Sequence, residues 1–103
     1  MTTFQLLVKE QQPIGFVCEG HSGYAEQGED IVCAAISSLT QFCISCAEEL
    51  SIPVQYDKGD ALLKCSVTHP DPIFTILLNT LRKNMMQLEE DFPEFIHVEI
   101  MEV

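Results

Sequence analysis

Basic residues are scarce in this sequence. Five lysines and arginines stand against 16 aspartates and glutamates in 103 residues, a formal net charge of −11. Such a surface repels phosphate backbones and anionic lipid headgroups, so direct nucleic-acid binding and membrane-surface binding are not expected. A basic partner is the natural electrostatic complement. The sequence also lacks a charged-then-apolar leader, and it shows no apolar run approaching the ~18–20 residues of a membrane span. These absences lead to the expectation of a cytoplasmic protein. No repeat or low-complexity tract interrupts the chain, and its length suits a single domain over residues 1–103. Five cysteines at 18, 33, 43, 46 and 65, with no secretory leader, imply free thiols in a reducing compartment.

Several chemical signatures are missing as well. There is no phosphate-cradling glycine loop, no Ser-His-Asp order and no paired-carboxylate site. Cys43-Ile44-Ser45-Cys46 has Cys-x-x-Cys spacing, but it falls late in a helical pattern with both sulfurs on the apolar side. A redox pair needs a helix N-terminus to favour its thiolate, and zinc needs two more ligands at matching spacing. Cys18 and Cys65 are single strand residues facing inward, so no metal and no cofactor is expected, and the four cysteines read as packing thiols. His69, in a proline-bounded turn, and His97, on the polar side of the last strand, are assigned to the surface.

What is present is a regular alternation of patterns. Phe4, Leu6 and Val8 alternate with polar residues as a half-buried strand, and Gln11-Gln12-Pro13 is expected to turn the chain. Ile14, Phe16 and Cys18 then mark a second strand over about residues 14–20. Residues 20–29 hold three of the five glycines and read as a polar, mobile loop. The first helix is expected from Glu29 or Asp30 to about Leu50, with Val32, Ala35, Ile36, Leu39, Phe42, Cys43, Cys46 and Leu50 as its apolar stripe. A hairpin follows, with Val54–Tyr56 opening its first strand, a turn at Asp57-Lys58-Gly59-Asp60 and a return strand over 61–67. Asp71 and Pro72 read as the N-cap and first residue of a second helix, whose stripe is Phe74, Leu77, Leu78, Leu81, Met85 and Leu88. Ile96, Val98 and Ile100 close the chain as a strand. The order β-β-α-β-β-α-β predicts an α+β two-layer sandwich with both helices packed on one mixed or antiparallel sheet.

The reactive residue types that stand out are His21 and Cys33, twelve positions apart and joined by the glycine-punctuated loop. Cys33 falls in the opening turn of the first helix on its polar shoulder, with Ser37, Thr40 and Gln41 on the same side. A cysteine nucleophile needs a base for its proton and a positive environment for its thiolate. A helix terminus contributes only about 0.3–1 kcal/mol, and Glu29, Asp30 and the net charge oppose it. The histidine is therefore the required partner. First-turn N–H groups are expected to be available to a substrate oxyanion, and Asp30 either orients His21 or caps the helix.

Gly20-His21-Ser22-Gly23-Tyr24-Ala25-Glu26, followed by Gly28-Glu29-Asp30-Ile31-Val32-Cys33-Ala34-Ala35-Ile36-Ser37, closely resembles the signature of the ribosomal-processing cysteine protease family, Prp. His69-Pro70-Asp71, the Leu77–Leu81 stretch and Phe92-Pro93-Glu94-Phe95-Ile96 are similar to that family's second half. The resemblance implies an α/β-plait-like fold, a homodimer and endoproteolysis. The implied substrate is large-subunit ribosomal protein number twenty-seven, which loses a short N-terminal extension before ribosome assembly can finish. Position by position, His21 matches the family's catalytic histidine and Cys33 its nucleophile. Asp30 and Ser37 match polar residues beside that dyad, and residues 22–29 a loop that moves over the bound peptide. A basic ribosomal tail also suits a surface of this charge. A second reading keeps the fold and drops the chemistry, leaving an acidic dimeric module that chaperones a basic ribosomal protein.

Overall fold

A computed structural model describes residues 1–103. Two strands open the chain, β1 (Thr2–Lys9) and β2 (Gln12–Glu19), followed by helix α1 (Ile31–Glu49). The hairpin of β3 (Gln55–Gly59) and β4 (Leu62–Ser66) leads to α2 (Pro72–Asp91) and the last strand, β5 (Ile96–Glu102). The strands form one mixed sheet in the order β3-β4-β2-β1-β5. Neighbours are antiparallel except β1 and β5, which run parallel because the α2 crossover returns the chain in the same direction. α2 lies on β1, β2 and β5, and α1 lies beside α2. The expected α+β sandwich and its element order are therefore observed.

Strand periodicity builds the core. Phe4, Leu6 and Val8 of β1 and Ile14, Phe16 and Cys18 of β2 are all buried, and the Phe4 and Phe16 rings stack at 5.7 Å across the pair. Phe74, Leu78, Leu81 and Met85 of α2 cover this face. Each large apolar side chain buried in this way contributes roughly 1.5–3 kcal/mol. α2 begins as its sequence dictates: Asp71 accepts from the Ile73 and Phe74 N–H groups, both at 2.9 Å, and Pro72 occupies the first helical position.

Both turns move relative to the sequence expectation. Glu10 and Gln11 carry φ of 51° and 67°, so they form the tight turn themselves, and Pro13 lies inside β2 opposite Val8. Neither residue is a typical occupant of that backbone region, which is why the turn is invisible in composition. Asp57, Lys58 and Gly59 likewise belong to β3, and the second turn falls at Asp60-Ala61 with Ala61 at φ 52°.

The α1 stripe is also narrower than its periodicity implies. Val32, Ile36, Cys43 and Ile44 are buried and Thr40 joins them, whereas Phe42 is 68% exposed and Leu50 49%. Phe42 projects away from α2 and the sheet, so Phe42→Ala should change the chemical-denaturation midpoint of the free chain by no more than ~0.5 kcal/mol equivalent. A larger loss would show that a second chain covers the ring. By length and composition α1 is long and apolar enough to cross a membrane, with mean hydropathy 1.5, contrary to the expectation of no such run. Its inner side is packed into the core, which is how a core helix meets the same criterion.

Candidate active site

The site is built where β2 hands the chain to α1. Gly20 leaves the strand at φ +93°, and a side chain there would place Cβ 2.6 Å from the Met1 carbonyl oxygen. Only glycine fits this exit without strain. Its N–H donates to the Ala61 carbonyl at 2.8 Å and its carbonyl accepts from Thr2 Oγ1 at 3.0 Å, so β1 and the β3–β4 turn hold the start of the loop. His21 follows with its side chain exposed, and Ser22 turns inward to 2% exposure.

Asp30 organises the other end. It is the N-cap of α1, with extended backbone at φ −85° and ψ 103°. Its Oδ1 accepts from the Cys33 N–H at 2.9 Å. Its Oδ2 accepts from Ser22 Oγ at 2.6 Å, the Tyr24 N–H at 3.1 Å and the Ala25 N–H at 3.2 Å. Burial acts to raise the Asp30 carboxyl, but donation from Ser22 and from the Cys33, Ala25 and Val32 N–H groups outweighs it and holds the group at about 2. Of the two roles open in the sequence, Asp30 therefore takes the cap. It also ties residues 22–25 to the helix.

The loop is thus anchored rather than free. Tyr24 adds a second attachment, meeting the rings of Phe92 and Phe95 edge-on at 5.5 and 5.3 Å. Cys33, at the third position of α1, is half-buried. Its Sγ lies 3.4 Å from both the backbone nitrogen and the Oγ of Ser22, accepting from the former and donating to the latter. The Cys33 N–H, expected to be open to an oxyanion, is instead committed to Asp30.

His21, Asp30, Cys33 and Ser37 all line one cleft of about 720 Å³, between the loop, the first half of α1 and the β3–β4 hairpin. A peptide fits a cleft of that size. His21 and Cys33 face this shared space without a hydrogen bond to each other. Ser37, one turn after Cys33, is exposed, and its hydroxyl takes no part in the Asp30 network. The opposite wall, with Tyr56, Lys58 and Leu62, was not foreseen as part of the site. Ser22 carries no sequence signal of its position, because nothing in its local sequence distinguishes an inward serine from an outward one.

Cys18, Cys43 and Cys65 are buried packing thiols, whereas Cys46, expected to join them, is only half-buried. Burial pushes Cys18 up to about 12, with Cys33 nearby adding to the rise. Burial likewise raises Cys43 to about 12, helped by Cys65 and Cys46, and Cys65 to about 11, helped by Glu48. All five cysteines are free. Charge is segregated around the cleft. Lys58 and the internally satisfied Asp30 line it, while Glu26 and Glu29 on the loop and Asp57 and Asp60 on the hairpin are exposed beside it.

Comparison with known proteins gives a consistent picture. The family described as Cysteine protease Prp matches residues 1–97. The ribosomal processing cysteine protease Prp of Mycoplasma pneumoniae is 31% identical over 80 residues, covering 78% of this chain and 80% of its own. Among solved structures, SMU.848 from Streptococcus mutans superimposes with a TM-score of 0.81 at 26% identity, covering 100% of this chain and 96% of that one. The essential ribosomal processing protease Prp from S. aureus, in complex with a covalently linked product peptide, shares the fold. Its TM-score is 0.86 at 23% identity, with 98% of this chain and 100% of that chain covered.

Proposed function

This chain belongs to the cysteine protease Prp family, and from that premise we propose that it removes the short N-terminal extension of a basic large-subunit ribosomal protein, number twenty-seven, working as a cytoplasmic homodimer. His21 and Cys33 form the catalytic dyad in this reading. His21 takes the Cys33 proton, and the thiolate attacks the scissile carbonyl carbon. As the tetrahedral intermediate collapses, His21 returns the proton to the leaving amine. Water then hydrolyses the thioester and frees the thiol. Asp30 and Ser37 support the dyad, Asp30 through the helix cap and the loop.

The observation that carries this reading is that Cys33, at a helix N-terminus, and His21 line the same peptide-sized cleft. The acidic rim of Glu26, Glu29, Asp57 and Asp60 supports a basic substrate, since opposite charge speeds encounter and raises local concentration. Mass spectrometry of the extended ribosomal protein after incubation with this chain should show the shortened protein and the released extension. Tight binding without a released fragment would instead favour the acidic chaperone module.

A further inference from the structure

The dyad reading leaves one buried group unused, the Ser22 side chain. Its Oγ accepts from the Cys33 thiol at 3.4 Å and donates to Asp30 Oδ2 at 2.6 Å, while its backbone N–H donates to Cys33 Sγ at 3.4 Å. A hydroxyl has one proton and two lone pairs. Here the proton serves the carboxylate, and lone pairs accept from the neutral thiol and, at 3.3 Å, from the Tyr24 N–H.

That arrangement suits a thiol and not a thiolate. Once the S–H proton has gone, to His21 or to solvent, the sulfur has nothing to donate and would face an oxygen lone pair. Turning the hydroxyl costs Asp30 its shortest, charge-assisted bond. The Tyr24 and Ala25 N–H groups still hold its Oδ2 and the Cys33 N–H its Oδ1, and the hydroxyl gains a charge-assisted bond to the thiolate in exchange. We infer that Ser22 is a positioning residue whose hydroxyl turns from Asp30 to Cys33 when the thiol ionises, giving the thiolate a second donor beside the Ser22 N–H. The hydroxyl keeps its own proton throughout and changes only its acceptor.

The groups facing Cys33 make this donor matter. Asp30 stands at the helix cap, the protonated Cys18 thiol comes from β2, His21 from the loop, and Lys58 lies across the cleft on β3. Asp30 is the fixed negative charge among them, and a turned hydroxyl sets a favourable dipole between it and the sulfur. The inference rests on Cys33 being the nucleophile, but its test reads the thiol directly.

The test is alkylation of Cys33 by iodoacetamide across a pH series, read by peptide mass spectrometry so that half-exposed Cys46 is scored separately. Ser22→Ala is expected to raise the pH midpoint for Cys33 by about 0.5–1 unit, the worth of one hydrogen bond. A midpoint unchanged or lowered would overturn the inference, since a serine that only props the loop, or only stabilises the neutral thiol, predicts one or the other. In the unmodified protein, the Tyr24 amide NMR signal should titrate together with Cys33, because Ser22 Oγ, which shares that N–H with Asp30 Oδ2, reorients. A Tyr24 amide indifferent to that ionisation would overturn the inference without any variant. Neither measurement uses cleavage, so an enzyme whose Cys33 is dispensable for activity would sink the nucleophile assignment while leaving the Ser22 result to stand by itself.

Discussion

Cys33→Ala should abolish cleavage of the extended ribosomal protein, with a rate loss of at least about 10³-fold, while His21→Ala should lower it by roughly 10²–10⁴-fold. The two losses differ in origin. In the proposed mechanism, alanine at 33 removes the atom that bonds to the substrate carbonyl, and neither the three buried thiols nor Cys46, which does not line the cleft, can replace it. Cys18, Cys43 and Cys65 are buried and pushed to about 12, 12 and 11, so they remain protonated at neutral pH. In the same mechanism, alanine at 21 leaves the nucleophile but removes the base and the later proton donor. The double variant should be little worse than Cys33→Ala, because groups that act as a unit are not additive. Both variants should fold normally: His21 is exposed and Cys33 half-buried, and neither anchors the core. Cleavage retained by a correctly folded Cys33→Ala protein would refute the mechanism.

Asp30 should produce the second large effect, this time on stability and the loop together. Asp30→Ala removes the N-cap of α1 and the acceptor for Ser22, Tyr24 and Ala25, so a fall in melting temperature on the order of 5–10 °C is expected. Asp30→Asn separates the two tasks. Its amide oxygen can still cap the helix through the Cys33 N–H, but its amine would confront the Tyr24 and Ala25 N–H groups, which need an acceptor. The asparagine variant should therefore keep most of the helix cap and expose residues 22–29 to faster proteolysis. Acid supplies a further check. The carboxyl lies at about 2 in the fold against an ordinary 3.8, so its ionised form stabilises the protein fully above 3.8, and the contribution disappears as pH falls through about 2. Thermal melts from pH 6 to 2 should show a gap between the unmodified protein and Asp30→Asn that is constant at the top of this range and closes at the bottom. A gap that does not narrow in acid would mean that the carboxylate charge is not what holds the loop.

Much of the fold was legible because burial has a period. Phe4, Leu6 and Val8, then Ile14, Phe16 and Cys18, then Phe74, Leu78, Leu81 and Met85 repeat at strand or helix spacing and are buried as that spacing requires. Asp71-Pro72 marked the start of α2 through local capping chemistry alone. Turns were less legible, since Glu10, Gln11 and Ala61 adopt positive φ without being residues that favour it. The hairpin partners hold them there. Phe42 was misplaced because periodicity locates an apolar side of a helix without saying how much of it a neighbour covers.

The sequence by itself determined the element order, the acidic charge, the core positions and the two reactive side chains at the ends of one loop. These depend on local spacing and composition, which a linear chain carries openly. Only the tertiary structure decided that Asp30 caps α1 and binds the loop, that Ser22 stands between it and Cys33, and that the β3–β4 hairpin forms the far wall of the cleft. These relations depend on which way a side chain turns and on contacts between distant segments, such as Tyr24 against Phe92 and Phe95. The packed sheet and helices impose such contacts, and no short stretch of sequence encodes them.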